Sequence, residues 1–465
     1  MIKTLSPSNK IAIFSASLLS FMGILIETSM NVTFPTLIKE LHAPLSTIQW
    51  VTTGYLLLVT ITMGTTSDLL KRFPAKKLFL FAVSSCLLGT IICGLAPSFT
   101  VLMFGRTLQA ISTGISTPLL FHLIFSLVPA QHLGFYTGFA GMVISFAPAL
   151  GPTYGGIINN FWSWHSIFWI ALPFIALIMF SGAKTIRLPF TKVATKFDFG
   201  GFIILSLFFP ALSLTVNQAG KMDFISLQVL GGLIVGLILL GVLLTLNKTG
   251  HFKLLNLNIL KNPILAWSAA VYFILQFINI GISFVIPVLA QNTLGTTSMI
   301  AGLVLLPGSL LGALIAPLAG RLYDQQGFFG PLILSNSFLL IGTLLFYLLT
   351  KNLTVILITL IYIFLRVGFN LGFSNLMSDA SKQVNLSHKP DQNSLFNTLQ
   401  QYAGSLGTGV LAAVISNQEL STKNSALATS KGSQLDFLLL FLLSIFNVIA
   451  VWLIQRRKME QKAIN

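Results

Sequence analysis

The chain has 465 residues, of which 54% are hydrophobic and only 8% charged. A water-soluble domain carries about 25% charged residues, so most of this surface does not face water, and no stretch is polar enough to form a separate soluble domain. The formal net charge of +16 is scattered as short clusters between apolar runs, which is how a membrane orientation signal is distributed and not how a nucleic-acid-binding face is built.

The apolar runs are long and continuous, without period-two alternation, which excludes a transmembrane β-barrel. A bilayer core of ~30 Å takes about 20 apolar residues per helix. Cut at its polar breaks, the sequence predicts fourteen spans, at 11–37, 47–70, 76–96, 99–126, 131–158, 163–183, 198–218, 224–246, 264–290, 299–322, 329–350, 353–378, 395–416 and 434–455. The first run follows Lys3 and Lys10 and is too long for a signal-peptide core, so it reads as a retained helix. With both termini cytoplasmic, twenty Lys and Arg fall on the inner side and five on the outer, while Arg106 and Arg366 fall inside spans. That bias fits the orientation and an even number of spans.

Basic polar stretches at 184–197 and 247–263 flank spans seven and eight. The expected fold is an all-α polytopic membrane protein with fourteen transmembrane helices. An N-terminal six-helix bundle occupies 1–197, an inserted two-helix hairpin with its linkers 198–263, and a C-terminal six-helix bundle 264–465. Two-bundle transporters alternate access by rocking one half against the other around a midplane site.

Several segments carry a family resemblance. The first span contains Glu27-Thr28-Ser29-Met30-Asn31-Val32-Thr33-Phe34-Pro35, and the second opens on Gln49-Trp50-Val51-Thr52-Thr53-Gly54-Tyr55. The fourth has Arg106-Thr107-Leu108-Gln109-Ala110, and the fifth Gly151-Pro152-Thr153-Tyr154-Gly155-Gly156. Together they resemble the fourteen-helix drug/proton antiporter branch of the major facilitator superfamily, near its lincomycin-resistance type. The resemblance implies a proton-coupled secondary transporter that exports amphipathic molecules from the cell membrane. After the second span the family has Gly-x-Leu-Ala-Asp-Arg-x-Gly-Arg-Lys. Here Lys71 stands at the family's Asp and Pro74 at its second Gly, with Asp68 three residues earlier as a substitute acid. The counterpart after the tenth span, Gly320-Arg321-Leu322-Tyr323-Asp324-Gln325-Gln326-Gly327, keeps the pattern.

Glu27 reads as the one acidic residue deep inside a span. A charge at mid-bilayer costs several kcal/mol, so an intramembrane carboxylate is a functional candidate. Burial favours its protonated form and a nearby cation its ionised form, which poises it for proton exchange. Arg106 lies at a similar depth on a helix running the opposite way, and the pair is expected to face each other and couple protons. A purely structural, hydrogen-bonded Glu27 is the alternative.

Gly151, Pro152, Gly155 and Gly156 are expected to gate by shape, through close helix approach and a proline kink. Asp68, Gly320, Asp324 and Gly327 are expected to gate at the cytoplasmic turns, with Asp324 placed to cap a helix N-terminus. Asn31, Gln49, Tyr55, Gln109, Arg366, Asn397, Gln400 and Gln401 are polar groups in or near spans that can hydrogen-bond a substrate or one another.

No metal-ligand, cofactor or phosphate-cradling motif occurs, so ATP-driven pumping within this chain is not expected. The expected partners are an amphipathic small molecule, protons and the lipid bilayer around a monomer, and not nucleic acid. A metabolite symporter or facilitator shares the architecture, and a membrane sensor without transport is a third reading.

Overall fold

The computed structural model describes residues 5–43, 45–48, 50–190, 197–220, 222, 226–249, 255–421 and 424–464, and among them there is no β-strand. Among the described residues, fourteen helices have twenty residues or more. They are α1 (Pro7–Ser29), α2 (Trp50–Arg72), α3 (Ala75–Gly94), α4 (Phe99–Leu127), α5 (Leu133–Phe161), α6 (His165–Thr185) and α7 (Phe199–Ala219), then α8 (Leu227–Thr249), α9 (Pro263–Asn292), α10 (Leu306–Gln326), α11 (Phe329–Leu349), α12 (Val355–Lys382), α13 (Lys389–Ser421) and α14 (Ser425–Ile464). All-helical structure is what a bilayer demands of a chain that must satisfy its own backbone hydrogen bonds.

Twelve of the described helical segments are long and apolar enough to cross a membrane by composition alone. The two long helices outside that set are α2 and α13, which carry runs of Thr, Ser, Asn and Gln. Both bury many of those polar residues against other helices, among them Thr66 and Ser67 on α2 and Gln392, Asn393 and Asn397 on α13.

Local sequence sets the helix ends. Ser6 caps α1 by accepting from the Asn9 N–H, with Pro7 in the first turn. Asn262 and Pro263 do the same for α9, Thr354 caps α12, and Asp198 caps α7 by accepting from the Gly201 N–H at 2.7 Å. Such caps satisfy donors that the first turn leaves free.

Two expected spans are broken. The run at 11–37 ends as α-helix at Ser29, turns through a 3-10 segment at Met30–Thr33 and resumes at Phe34–Glu40. Pro35 lacks an amide hydrogen, so a continuous helix would lose a rung there. The run at 299–322 splits into Ser298–Leu303 and α10, which restarts with Pro307 in its first turn. The last helix runs well beyond the expected 434–455 at both ends, because hydropathy sees only its apolar middle.

Helices α1–α6 pack among themselves, and so do α9–α14. Between these two groups α5 lies against α10 and α12, and α2 against α13. Helix α7 rests on α2 and α13 together. Its Leu205 covers Gly64 of α2, and Phe208 and Phe209 pack on Tyr402 of α13 as tilted ring pairs, 5.7 and 4.7 Å between centroids. Helix α8 packs on α7 and turns Leu227, Ile234, Leu237 and Ile238 outward.

Both chain ends lie at one end of the molecule. Leu5 and Lys10 line a cleft of about 470 Å³ with His132, Arg321 and Asp324. Lys458, near the other terminus, bonds Asp379 at the end of α12. This is called the termini end below.

Candidate functional site

Helices α1, α2 and α4 bring Glu27, Tyr55 and Arg106 together inside the first group. Arg106 is fully buried, with its guanidinium 4.0 Å from the centre of the Tyr55 ring. A desolvated contact of this kind is worth up to ~2 kcal/mol. Its Nε donates to the Val51 carbonyl at 3.3 Å and its Nη1 to Gln109 Oε1 at 3.0 Å, while its Nη2 is buried without a partner. Gln109 passes the contact on by donating to Thr90. The Tyr55 hydroxyl donates to the Gly23 carbonyl at 3.3 Å and meets the Thr113 hydroxyl at 2.7 Å.

Glu27 is 9% exposed, and its carboxylate has no hydrogen bond or ion pair among the described residues. The direct pairing of Glu27 with Arg106 expected from their depths is therefore absent in this conformation. The cation is held by an aromatic face and neutral acceptors, which leaves the acid free to change its state without first breaking a salt bridge.

The seam between the groups is closed by two devices at the termini end. At the first, Asp324 of α10 receives the N–H groups of Gly134 and Phe135 at 2.9 and 3.0 Å. This places a carboxylate on the positive end of α5. Gly327, at φ 79°, turns the chain just after it. Gly320 lies against Gly134 so closely that a Cβ on it would stand 1.9 Å from the Gly134 carbonyl oxygen. Above this contact α5 and α12 meet at four-residue steps: Thr137 with Ser378, Gly141 with Ser374, and Ser145 with Asn370.

At the second device, Lys71 of α2 forms an ion pair with Asp391 of α13. The same carboxylate accepts from Ser67, from Asn256 at 3.1 Å, and meets His388 Nδ1 at 3.2 Å. Asn393 donates to the Pro118 carbonyl and Ser394 to that of Met63, so α13 is also sewn to α4 and α2. Asp68, the expected substitute acid, instead pairs with Arg72 one turn further along its own helix. The cross-seam acid is Asp391, which a reading confined to apolar spans leaves in a loop. A lysine standing where the family has its acid was the available signal that a carboxylate sits opposite.

The glycine motif of α5 is placed differently from expectation. Gly151 packs on the Thr28 side chain and Gly155 on the Ser29 backbone, both on α1 within the first group. Gly156 meets nothing within 4 Å, and Pro152 is exposed. The contact with the opposite group falls to Gly134, Gly138 and Gly141 further down the same helix, because those are the positions that turn toward α10 and α12.

Of the remaining expected residues, Asn31 accepts from Thr52 at 2.8 Å, and Gln400 accepts from the Tyr272 hydroxyl at 3.2 Å. Asn397 bonds Asn393 on its own helix, and Gln401 is half-buried. Gln49 lies outside the described residues. Arg366 donates to Asn279 of α9. Glu27 is not the one acid buried among the helices. Asp436 of α14 is fully buried with neither oxygen partnered, since α14 starts eleven residues before it and not at the apolar run.

Two groups of long apolar helices joined along a seam, with polar locks at one end and ionisable groups buried among the helices, are the build of a polytopic membrane transporter. Residues 14–408 match the Major Facilitator Superfamily model, and the chain belongs to that family. It is similar to the lincomycin resistance protein LmrB of Bacillus subtilis (strain 168), 31% identical over 462 residues and 96% of each chain. The protein of that name in Listeria monocytogenes is 32% identical over 399 residues, covering 85% of this chain and 84% of its own. Multidrug resistance protein 3 of Bacillus subtilis is 26% identical over 417 residues, 89% of this chain and 81% of that one.

Among solved structures, the human organic anion transporter MFSD10 (TETRAN) superposes with a TM-score of 0.68 at 16% identity, over 94% of this chain and all of that one. The proton:xylose symporter XylE gives 0.62 at 16% identity, over 96% of each. At that identity the two likenesses speak for the fold. The chain is thus a multi-pass membrane transporter and not an enzyme, with antibiotic-resistance proteins among its bacterial relatives.

Proposed function

We propose that this protein is a proton-driven exporter of amphipathic drugs or other toxic small molecules, working as a monomer by alternating access. In this reading all fourteen long helices cross the membrane and the termini end is cytoplasmic. Residues 1–197 and 264–465 are then the two moving bundles, with 198–263 an inserted hairpin. The charge bias supports the orientation, because the basic residues described around the termini end include Lys71, Arg72, Lys76, Lys77, Lys382, Lys389, Arg456 and Arg457.

The carrying observation is the buried, unpaired carboxylate of Glu27 beside the Arg106–Tyr55 contact. Among the described residues, every side-chain hydrogen bond joining α1–α6 to α9–α14 lies between the termini end and the Ser145–Asn370 pair. That distribution supports reading this conformation as outward-facing, with its cytoplasmic side shut. In it, a proton arriving from outside reaches Glu27 and neutralises it. The neutral acid is stable in the closed, dry site of the next conformation. On the cytoplasmic side, substrate binding favours release of that proton, so the two ligands alternate and the proton gradient drives export. The names of the relatives support drugs as cargo.

The test is transport in everted vesicles whose interior is acidified. Wild type accumulates a fluorescent dye substrate and Glu27→Gln does not, although it is inserted in equal amount. Normal gradient-driven accumulation by Glu27→Gln would remove proton coupling from this site. Loss of preloaded dye from the vesicles under the same gradient would instead indicate a symporter.

A further inference from the structure

The interior of the α9–α14 group holds a cation that no carboxylate answers. Arg366 of α12 is 6% exposed. Its Nη1 donates to Asn279 Oδ1, its Nε is buried without a partner, and its guanidinium carbon lies 5.5 Å from the centre of the Phe369 ring. No acid lies within ion-pair distance among the described residues. Helices α5, α9 and α11 contain no Asp or Glu, and the acids of α10 and α12 are Asp324 and Asp379 at the termini end. Asp379 is thirteen residues further along α12, about 20 Å at the helical rise. An arginine side chain does not shed its charge by losing a proton in proteins. An unanswered one inside the bilayer is costly and marks a ligand path or an internal partner.

Its position selects the ligand path. The α5–α12 steps run Thr137 with Ser378, Gly141 with Ser374 and Ser145 with Asn370. One helical turn beyond Asn370 on α12 stands Arg366, so it follows directly after the last of these cross-seam pairs. A molecule held between the groups just past the closed part of the seam would meet the second group there. Polar groups that fix an orientation surround it. Asn370 donates to the Arg366 carbonyl at 2.9 Å, and the Tyr362 and Ser283 hydroxyls share a hydrogen bond at 3.1 Å. Gly308 and Gly312 of α10 let that wall come close, for a Cβ at Gly312 would stand 2.7 Å from Asn370 Nδ2.

We propose that Arg366, with Asn279, forms a subsite for an anionic group on the transported molecule, and that Phe369 and Tyr362 take up the aromatic or apolar body attached to it. The cargo class is then an amphipathic anion such as an aromatic carboxylate or sulfonate. A carboxylate there would accept from Nε and the adjacent Nη2, the forked side edge of the guanidinium, while Asn279 stays on Nη1. The proposal rests on the seam as the transport path, and it does not depend on Glu27 as the proton site.

The experiment is equilibrium binding to the purified full-length chain in detergent, read by fluorescence anisotropy with two dyes of one ring system. These are fluorescein, which is anionic, and rhodamine 6G, which is cationic. Wild type is expected to prefer fluorescein. Arg366→Gln is expected to weaken fluorescein at least about tenfold, the scale of one charge-assisted hydrogen bond, and to leave rhodamine 6G unchanged or tighter. Asn279→Asp sets a carboxylate on the guanidinium and is expected to abolish fluorescein binding, so the proposal stays testable should Arg366→Gln fail to fold. Equal affinity of wild type for the two dyes, or fluorescein binding unaltered by Arg366→Gln or Asn279→Asp, makes Arg366 a structural cation and overturns it. No proton gradient exists in this assay, so loss of proton coupling at Glu27 would leave its outcome untouched.

Discussion

Lys71 and Asp391 join α2 to α13 by an ion pair at the same end where Asp324 of α10 sits on the backbone of α5. The two seams are thus locked by opposite means, one by a cation on a helix-borne acid and one by an acid on a helix N-terminus. Asp391 is almost wholly buried and Lys71 is 22% exposed, so the pair is screened from water on the acid's side. Lys71→Asp sets two carboxylates together and is expected to weaken closure at this end by about 2 kcal/mol. That shifts the ratio of conformers roughly thirtyfold. The double exchange Lys71→Asp with Asp391→Lys should recover most of it. A cysteine introduced at Ser394 reports closure by its alkylation rate, since the native cysteines, Cys86 and Cys93, are buried. Alkylation that is equally slow in wild type and in Lys71→Asp would show that the pair does not hold the seam.

Glycines at the other seam divide by what surrounds them. A Cβ on Gly320 meets the Gly134 carbonyl oxygen at 1.9 Å, whereas one on Gly156 meets nothing within 4 Å. Backbone cannot yield as a side-chain tip does, so Gly320→Ala should force α10 from α5 and cost about 1–3 kcal/mol. Gly156→Ala should change thermal stability and dye export little. A Gly320→Ala protein as stable and as closed as wild type would contradict the packing of the two helices.

Much of this architecture is legible in hydropathy, because a helix in lipid must bury its backbone groups internally and reveal itself as an apolar run. The limits are where polar residues are buried by protein. Helix α13 begins at Lys389, six residues before its expected start, since Asp391, Gln392 and Asn393 face other helices and not solvent. The same effect hid Asp391 as the partner of Lys71. Glu27, Arg106 and Arg366 stand out as charges in apolar surroundings; a backbone carbonyl and Gln109 are legible as partners of Arg106, whereas the Tyr55 ring and Asn279 are not. Whether a guanidinium finds a carboxylate, an aromatic ring or an asparagine depends on helix rotation, which spacing alone leaves open. For the same reason the motif on α5 pointed to the correct helix but to the wrong face, as Gly151 and Gly155 turn toward α1.

Tyr55 contributes in two separable ways, by its ring beneath Arg106 and by its hydroxyl to Gly23 and Thr113. Tyr55→Phe keeps the ring, and its loss is limited to the hydroxyl's hydrogen bonds, ~1 kcal/mol. Tyr55→Leu removes the aromatic face and leaves Arg106 with two neutral acceptors. Export by Tyr55→Phe is expected to stay within about threefold of wild type, while Tyr55→Leu should fall by tenfold or more, as a desolvated cation–π contact of ~2 kcal/mol implies. Equal activity of the two variants would mean that the ring does not position the arginine.

Asp436 and Glu27 are both buried acids without a partner, yet their places in the molecule set them apart. The helices packed against α14 are α9, α11 and α13, all in the same group, so in the proposed rocking motion the surroundings of Asp436 travel with it. Glu27 lies on α1, whose neighbours include α5, the helix that forms the moving seam. An unpaired carboxylate is costly in an apolar interior, and no Lys, Arg or His occurs on α9 or α11 to answer one at Asp436. On α14 itself the buried side chains of Ser433 and Asn447 are likewise unpaired. Asp436→Asn should therefore retain gradient-driven dye export and fold with stability within about 1 kcal/mol of wild type, under conditions where Glu27→Gln exports nothing. Transport and thermal melting of the two variants side by side decide this. A folded Asp436→Asn protein that has lost uphill export would place a proton-coupling group inside the second bundle.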